Sequence, residues 1–394
     1  MDFFEYVNKD FIESNPIPEH QVSWGHFYIL REKNYAKLLH YLKTPENQLK
    51  KLESKYHNHF LQMCNLYKSF EQMTCETNTQ NITSLFDYIN RNMMNKENST
   101  IHNFFNVCSY LQKIGINVPI QSHCSIDFKC NKRYLLCVGD GGGSGSGSSS
   151  NKSCNGSGMG NICSHCNFCM CHRTIESNFA GGSDVGGGGI SLPDKSFYTE
   201  KSVENDKILN EYRKFILKFC DTFRFSSDVP DTIIRIETDI AHILIDNEKK
   251  IQPTEIYNLY TLKEFKKTFP SVPAELFTFL FLKNEKSEIW IQYPDYLKNI
   301  HRVIWKYSKE QWSNFFKWKV VMWVCPYLFN DIYFDFFGKT IRGQIYPKNK
   351  DEIYLANTID FYGHMLGEIF RREMFDDDFQ KKNLYTKLMF TSQK

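Results

Sequence analysis

The chain has 394 residues, 41% of them hydrophobic and 15% aromatic, enough for one large domain or two with a core rich in Phe and Tyr. Its 48 basic and 45 acidic residues leave a formal charge of +3, which excludes the long-range positive field of a general nucleic-acid binder. The N-terminus has no apolar h-region, and the longest apolar run, Val320–Phe329, is about half a membrane span, so neither a signal peptide nor a transmembrane segment is predicted.

Composition divides the chain into three zones. Residues 1–138 are mainly helical in pattern, punctuated by "NPIP" at Asn15–Pro18 and "TPENQ" at Thr44–Gln48. "RYLLCVGD" (Arg133–Asp140) has the β-branched and aromatic content of a strand ending in a turn. Residues 139–190 are rich in Gly, Ser and Cys and are expected to form a flexible insertion, because they lack the apolar area of a core. Residues 191–394 return to helical patterning as the remainder of the same domain. In Ile208–Phe223, apolar residues recur at spacings of three and four, one stripe of an amphipathic helix. Asp231–Ile245 repeats the pattern, with Asp231 placed to charge or cap the first turn. Ser308 stands three residues before Gln311, the spacing of a capping box ahead of a long apolar helix. The fold class is therefore mostly α, with a short β-hairpin interrupted by the insertion.

Chemistry-bearing motifs are few. The glycines of "GSGMGN" (Gly156–Asn161) lead into cysteines rather than Gly-Lys-Ser/Thr, so they read as linker and not as a phosphate loop. "CSHCNFCMCH" places Cys163, Cys166, Cys169, Cys171 and His172 close enough to supply a structural zinc with tetrahedral soft ligands. Free thiols in a floppy loop are the other reading. Zinc predicts about one metal ion per chain by native mass spectrometry, and a metal-free chain would dismiss it. Thirteen cysteines cannot all pair, and Cys64, Cys75, Cys108, Cys220 and Cys325 look like small core residues. His57 and His59 read as surface, Glu237 and Asp239 as the solvated side of a helix, and His242 and His364, if buried, as satisfied core residues. Neither H-E-x-x-H nor G-x-S-x-G occurs, so the residues alone show no hydrolytic site and no catalytic cofactor.

Several stretches taken in order share a likeness. "DFFEYVNKDFIESNPIPEHQVSWGHFYILREKN" holds Tyr6-Val7-Asn8, Pro16, Pro18, Ser23-Trp24-Gly25, Phe27 and Leu30-Arg31-Glu32. It is followed by "RYLLCVGDGG", "GGISLPDKSFY", "RIETDIAHI", "YNLYTLKEFKKTFP", "YPDYLKNI" and "FYGHMLGEIFRREMF". Together they resemble the N-terminal domain of neprilysin-like zinc metallopeptidases, with Lys9 and Phe11 departing from a usual glycine and tryptophan. "KDEIYLANT" lacks the family's Arg-Trp or Trp-Arg pair. The resemblance implies a multi-helix domain that encloses a substrate chamber. It also implies that Arg31 neighbours the C-terminal carboxylate of a bound peptide, while a second basic contact of some members falls at Ser23. In that family the zinc-binding H-E-x-x-H, the second-motif glutamate and the Asn-Ala-aromatic clamp lie beyond the last matched helix.

Two expectations follow. The first is a non-catalytic binding or structural protein, soluble and intracellular or packaged in a virion. The second is the chamber half of an active zinc endopeptidase whose catalytic half is a separate or truncated segment. The expected partners are accordingly a catalytic peptidase chain or a peptide or protein ligand.

Overall fold

The computed structural model describes residues 2–374 apart from 22, 51, 53, 131, 141–188, 247–248, 250–252 and 274–283. The long elements in chain order are helices α1 (Phe3–Ser14), α2 (His26–Lys43), α3 (Ser54–Glu71), α4 (Cys75–Met93) and α5 (Thr100–Lys113). Strands β1 (Gln121–Ile126) and β2 (Tyr134–Gly139) follow, then helices α6 (Val203–Leu217) and α7 (Val229–Ile243). Next come β3 (Asn258–Thr261), α8 (Leu262–Thr268), β4 (Glu288–Ile291), α9 (Pro294–Lys306), α10 (Lys309–Leu328) and α11 (Lys350–Met374). The mostly α class holds. The chain divides into two compact units, Met1–Met73 with Lys348–Lys394, and Thr74–Pro347.

In the first unit, α3 and α11 pack together, and α2 contributes Tyr41 and Leu42. Apolar residues three or four apart on α3 (Phe60, Met63, Cys64, Tyr67) meet Leu355, Leu366 and Ile369 of α11, so each helix buries one stripe. Asp351 in the first turn of α11 ties the three helices at one end. It accepts from Tyr67 Oη at 3.0 Å and pairs with Lys43 Nζ at 2.6 Å. By contrast α1 buries no residue: Phe3 is 79% exposed and Tyr6 75%.

In the second unit, a four-stranded sheet of order β1-β2-β4-β3 lies against a large helical core. β1 and β2 are antiparallel from Gln121 opposite Gly139 to Ile126 opposite Tyr134, β2 and β4 are parallel, and β3 and β4 antiparallel. The hairpin is larger and placed differently than predicted. Residues 127–133 join its two strands, the Gly/Ser/Cys-rich stretch follows β2, and β3 and β4 widen the pair into a sheet. Leu136, Val138, Ile289 and Ile291 face the main core, while Leu135, Cys137 and Trp290 form a small cluster on the opposite face. Beyond β2 the described chain resumes at Gly189, whose φ of 74° and whose site for a Cβ 2.8 Å from Pro119 N both require glycine.

Helix α10 is the hub of this unit. Its start is the predicted capping box, with Ser308 Oγ accepting from Gln311 N at 3.2 Å and Ser308 N donating to Gln311 Oε1 at 2.9 Å. It is apolar on nearly every side and buries Trp312, Phe315, Phe316, Trp318, Val320, Val321 and Cys325, as a helix enclosed by others does. It also buries Lys319, 3% exposed, whose Nζ lies 2.5 Å from Glu237 Oε1 and 2.8 Å from Ser191 Oγ. This corrects the reading of Glu237 as solvated: Glu237 is 0% exposed and also accepts from Tyr198 Oη at 2.7 Å. Burial lowers the Lys319 pKa, and Glu237 opposes that shift. His242, by contrast, is exposed.

Candidate carboxylate-binding site

The extended, proline-bearing segment before α2 brings Ser23 and Trp24 against the first turn of that helix. Ser23 Oγ donates to Tyr28 Oη at 2.9 Å, and the Trp24 and Tyr28 rings stack with centroids 6.2 Å apart. Tyr28, Arg31 and Glu32 follow at spacings of three and four, so they share one face of α2. The Arg31 guanidinium carbon lies 4.8 Å from the Tyr28 ring centroid, a cation–π contact that holds the side chain in place. Arg31 is half-buried, and among the described residues its guanidinium makes no ion pair and no hydrogen bond.

The same unit holds further charged groups. His20 Nε2 lies 3.2 Å from Glu32 Oε1. From the start of α11 comes Glu352, in a first turn that Asn349 organises by accepting from Asp351 N through its side chain and from Glu352 N through its carbonyl, both at 3.0 Å. Glu352 is half-buried, and burial raises its pKa. His20, Lys348 and Arg31 act in the opposite sense, and Glu32 adds to the rise. This arrangement can receive an anion on a fixed, planar, bidentate donor.

The sequence singled out Arg31 but not its surroundings. Glu32 was in view in the Leu-Arg-Glu motif, and Glu352 in the very stretch that departs from the family's Arg-Trp pair. Cys163, Cys166, Cys169, Cys171 and His172 lie outside the described residues, as does the His364 side chain. Cys64, Cys108, Cys220 and Cys325 are buried, as their reading as core residues requires. His57 Nε2 meets the Leu52 carbonyl at 2.8 Å, and His59 is exposed. Among the described residues no group of three or more His, Cys, Asp or Glu side chains could hold a metal ion. Likewise no helix among them is long and apolar enough to cross a membrane.

Comparison with known proteins identifies the fold. The sequence model of peptidase family M13 matches residues 1–153 and 183–389. Endothelin-converting enzyme 1 of Bos taurus is 21% identical over 417 residues, which take in 100% of this chain and 46% of that protein. Neprilysin-3 of Drosophila melanogaster is 25% identical over 210 residues, 48% of this chain and 26% of its own length. Among solved structures, the zinc metalloprotease Zmp1 of Mycobacterium tuberculosis superposes with a TM-score of 0.71 at 16% identity, over 98% of this chain and 51% of that one. PepO of Lactobacillus rhamnosis gives 0.65 at 14% identity, over 96% and 52%. The chain thus spans about half the length, or less, of the relatives it matches. It belongs to peptidase family M13 and corresponds to the N-terminal domain of the neprilysin-like peptidases.

Proposed function

We propose that this domain binds peptides through their C-terminal carboxylate and does not itself cleave them. The observation that carries the reading is Arg31: half-buried, stacked on Tyr28, and without a carboxylate partner among the described residues. Hydrolysis by this family's chemistry needs a zinc-bound water, and the 394 residues contain no H-E-x-x-H to hold one. The test is a binding titration of one peptide with a free and with an amidated C-terminus. A charge-assisted contact of about 1.5–3 kcal/mol favours the free acid by roughly 10- to 100-fold. Arg31→Ala should abolish that preference, and no cleavage should appear with zinc added. Equal binding of the acid and the amide to the unmodified chain would sink the proposal.

A second reading has its own support. Phe3, Phe4 and Val7 of α1 are exposed, as are Ile17, Phe27 at 88% and Leu30, more large apolar surface than one helix and its neighbours ordinarily leave in water. On this reading the domain is the chamber half of a zinc endopeptidase and a catalytic partner covers that surface. Supplying a catalytic half in trans should then produce zinc-dependent cleavage and quench the binding of an apolar dye. If dye binding is already negligible in the isolated chain, the surface needs no such partner.

A further inference from the structure

Tyr28 carries a hydroxyl that its contact with Arg31 does not need. The face of an aromatic ring attracts the guanidinium, so phenylalanine would serve that contact as well. Two further contacts fix the ring: Trp24 stacks on it with centroids 6.2 Å apart, and Ser23 Oγ donates to Tyr28 Oη at 2.9 Å. Among the described residues Ser23 is the only hydrogen-bond partner of that hydroxyl. A phenol oxygen that accepts one hydrogen bond keeps its own hydrogen to donate. Ser23 is exposed and Tyr28 half-buried, so the hydroxyl is within reach of a ligand. Tyr28 precedes Arg31 by three residues on α2 and shares its face of the helix. The guanidinium carbon lies 4.8 Å from the Tyr28 ring centroid. The two donors are therefore separated by no more than that contact and the reach of the hydroxyl from its own ring centre.

We propose that Tyr28 is a second binding residue of the carboxylate site. Its hydroxyl donates to the same ligand carboxylate that Arg31 grips, and Ser23 holds that hydroxyl in the donating orientation. The proposal rests on the reading of Arg31 as a carboxylate site and adds to it a donor that sharpens selectivity. An ionised carboxylate offers about four lone-pair directions on its two oxygens, so a bidentate arginine leaves room for a further donor. An amidated terminus replaces one of those oxygens by an N–H group, which meets donors with a donor. Tyr28 thus adds to the discrimination between acid and amide through its hydroxyl, in addition to supporting Arg31 through its ring.

The probe is an N-acetylated pentapeptide ending in leucine, as the free acid and as the amide, titrated against the full chain. Tyr28→Phe keeps the ring on which Arg31 and Trp24 stack and removes one oxygen. It is expected to weaken binding of the free acid by about tenfold or more, the worth of a hydrogen bond to a charged group, and to change binding of the amide far less. Ser23→Ala should give a smaller loss in the same direction. It should give no further loss in a chain that already carries Tyr28→Phe, because the serine acts through the tyrosine. A full Ser23→Ala loss in that background would overturn the orienting role. A Tyr28→Phe chain that binds the free acid as the unmodified chain does, or that loses acid and amide affinity equally, would overturn the proposal. The hydroxyl would then only pin the segment before α2 to the helix. Failure of the Arg31 reading looks different. If the unmodified chain binds acid and amide alike, there is no carboxylate site and both readings fall. A preference lost in Arg31→Ala but kept in full by Tyr28→Phe removes the hydroxyl alone.

Discussion

Lys319→Met is expected to lower the stability of the second unit by about 3–5 kcal/mol, because it leaves a buried carboxylate without its counter-charge. Lys319 and Glu237 are almost fully buried, and their network is closed. Ser191 Oγ donates to Glu237 Oε1 at 2.6 Å, Tyr198 Oη donates to Oε2, and Trp318 Nε1 donates to Tyr212 Oη at 2.9 Å. Removing the ammonium leaves Glu237 with two hydroxyl donors in a region of Trp, Tyr and Phe side chains, far short of the hydration it gives up. Glu237→Gln should cost a comparable amount by stranding Lys319. The double variant should cost less than the sum of the two, since neither charge is then left alone. Urea denaturation of the four chains gives the coupling energy, and strict additivity would show that the pair is not the unit described here.

Trp312→Ala is the second large effect, about 3–5 kcal/mol from lost burial and the cavity left behind. Trp312 is fully buried, meets Phe104 edge-on at a centroid distance of 4.6 Å, and packs against Phe315 at 5.3 Å and Tyr307 at 6.0 Å. Its Nε1 donates to the Ile304 carbonyl at 3.0 Å. That carbonyl lies in the last turn of α9, where helical carbonyls lack an intrahelical partner. Trp312→Phe keeps most of the apolar contact and loses only the donor, so it should fall between the native chain and Trp312→Ala. The denaturation midpoints should follow that order; a Trp312→Phe as damaging as Trp312→Ala would mean that the hydrogen bond, not the packing, dominates.

Much of the fold was legible because it is written in local periodicity. The apolar spacing of Ile208–Phe223 appears as α6, which stops at Leu217 before a separate one-turn helix at Cys220–Phe223, that of Asp231–Ile245 appears as α7, and Ser308 and Gln311 form the expected capping box. Strand β2 was visible from Tyr134–Gly139, six residues of apolar and β-branched content. Strands β3 and β4 were not, because four residues each are too few to establish an alternating pattern. Their place in the sheet depends on Leu136 pairing with Ile289, a partnership between residues far apart in sequence. Glu237 was misread for a related reason: a charged residue on an amphipathic helix is ordinarily its wet side, and only the arrival of Lys319 from α10 makes its burial tolerable.

The candidate site divides in the same way. The ordered motifs from Tyr6-Val7-Asn8 to "FYGHMLGEIF" determined the family and with it Arg31, because a signature repeated along the chain carries more information than any one residue. The charged side chains that act on Glu352 in α11 come from segments more than 300 residues away in sequence, His20, Arg31 and Glu32 near the start. No local pattern announces them, and their charges acquire meaning only when packing removes water and brings them within each other's field. By itself the sequence determined the helices, the family and the absence of a zinc-binding motif within these residues. Tertiary structure alone decided which charges are buried and which are paired, because desolvation and Coulomb energy depend on distance in space rather than along the chain.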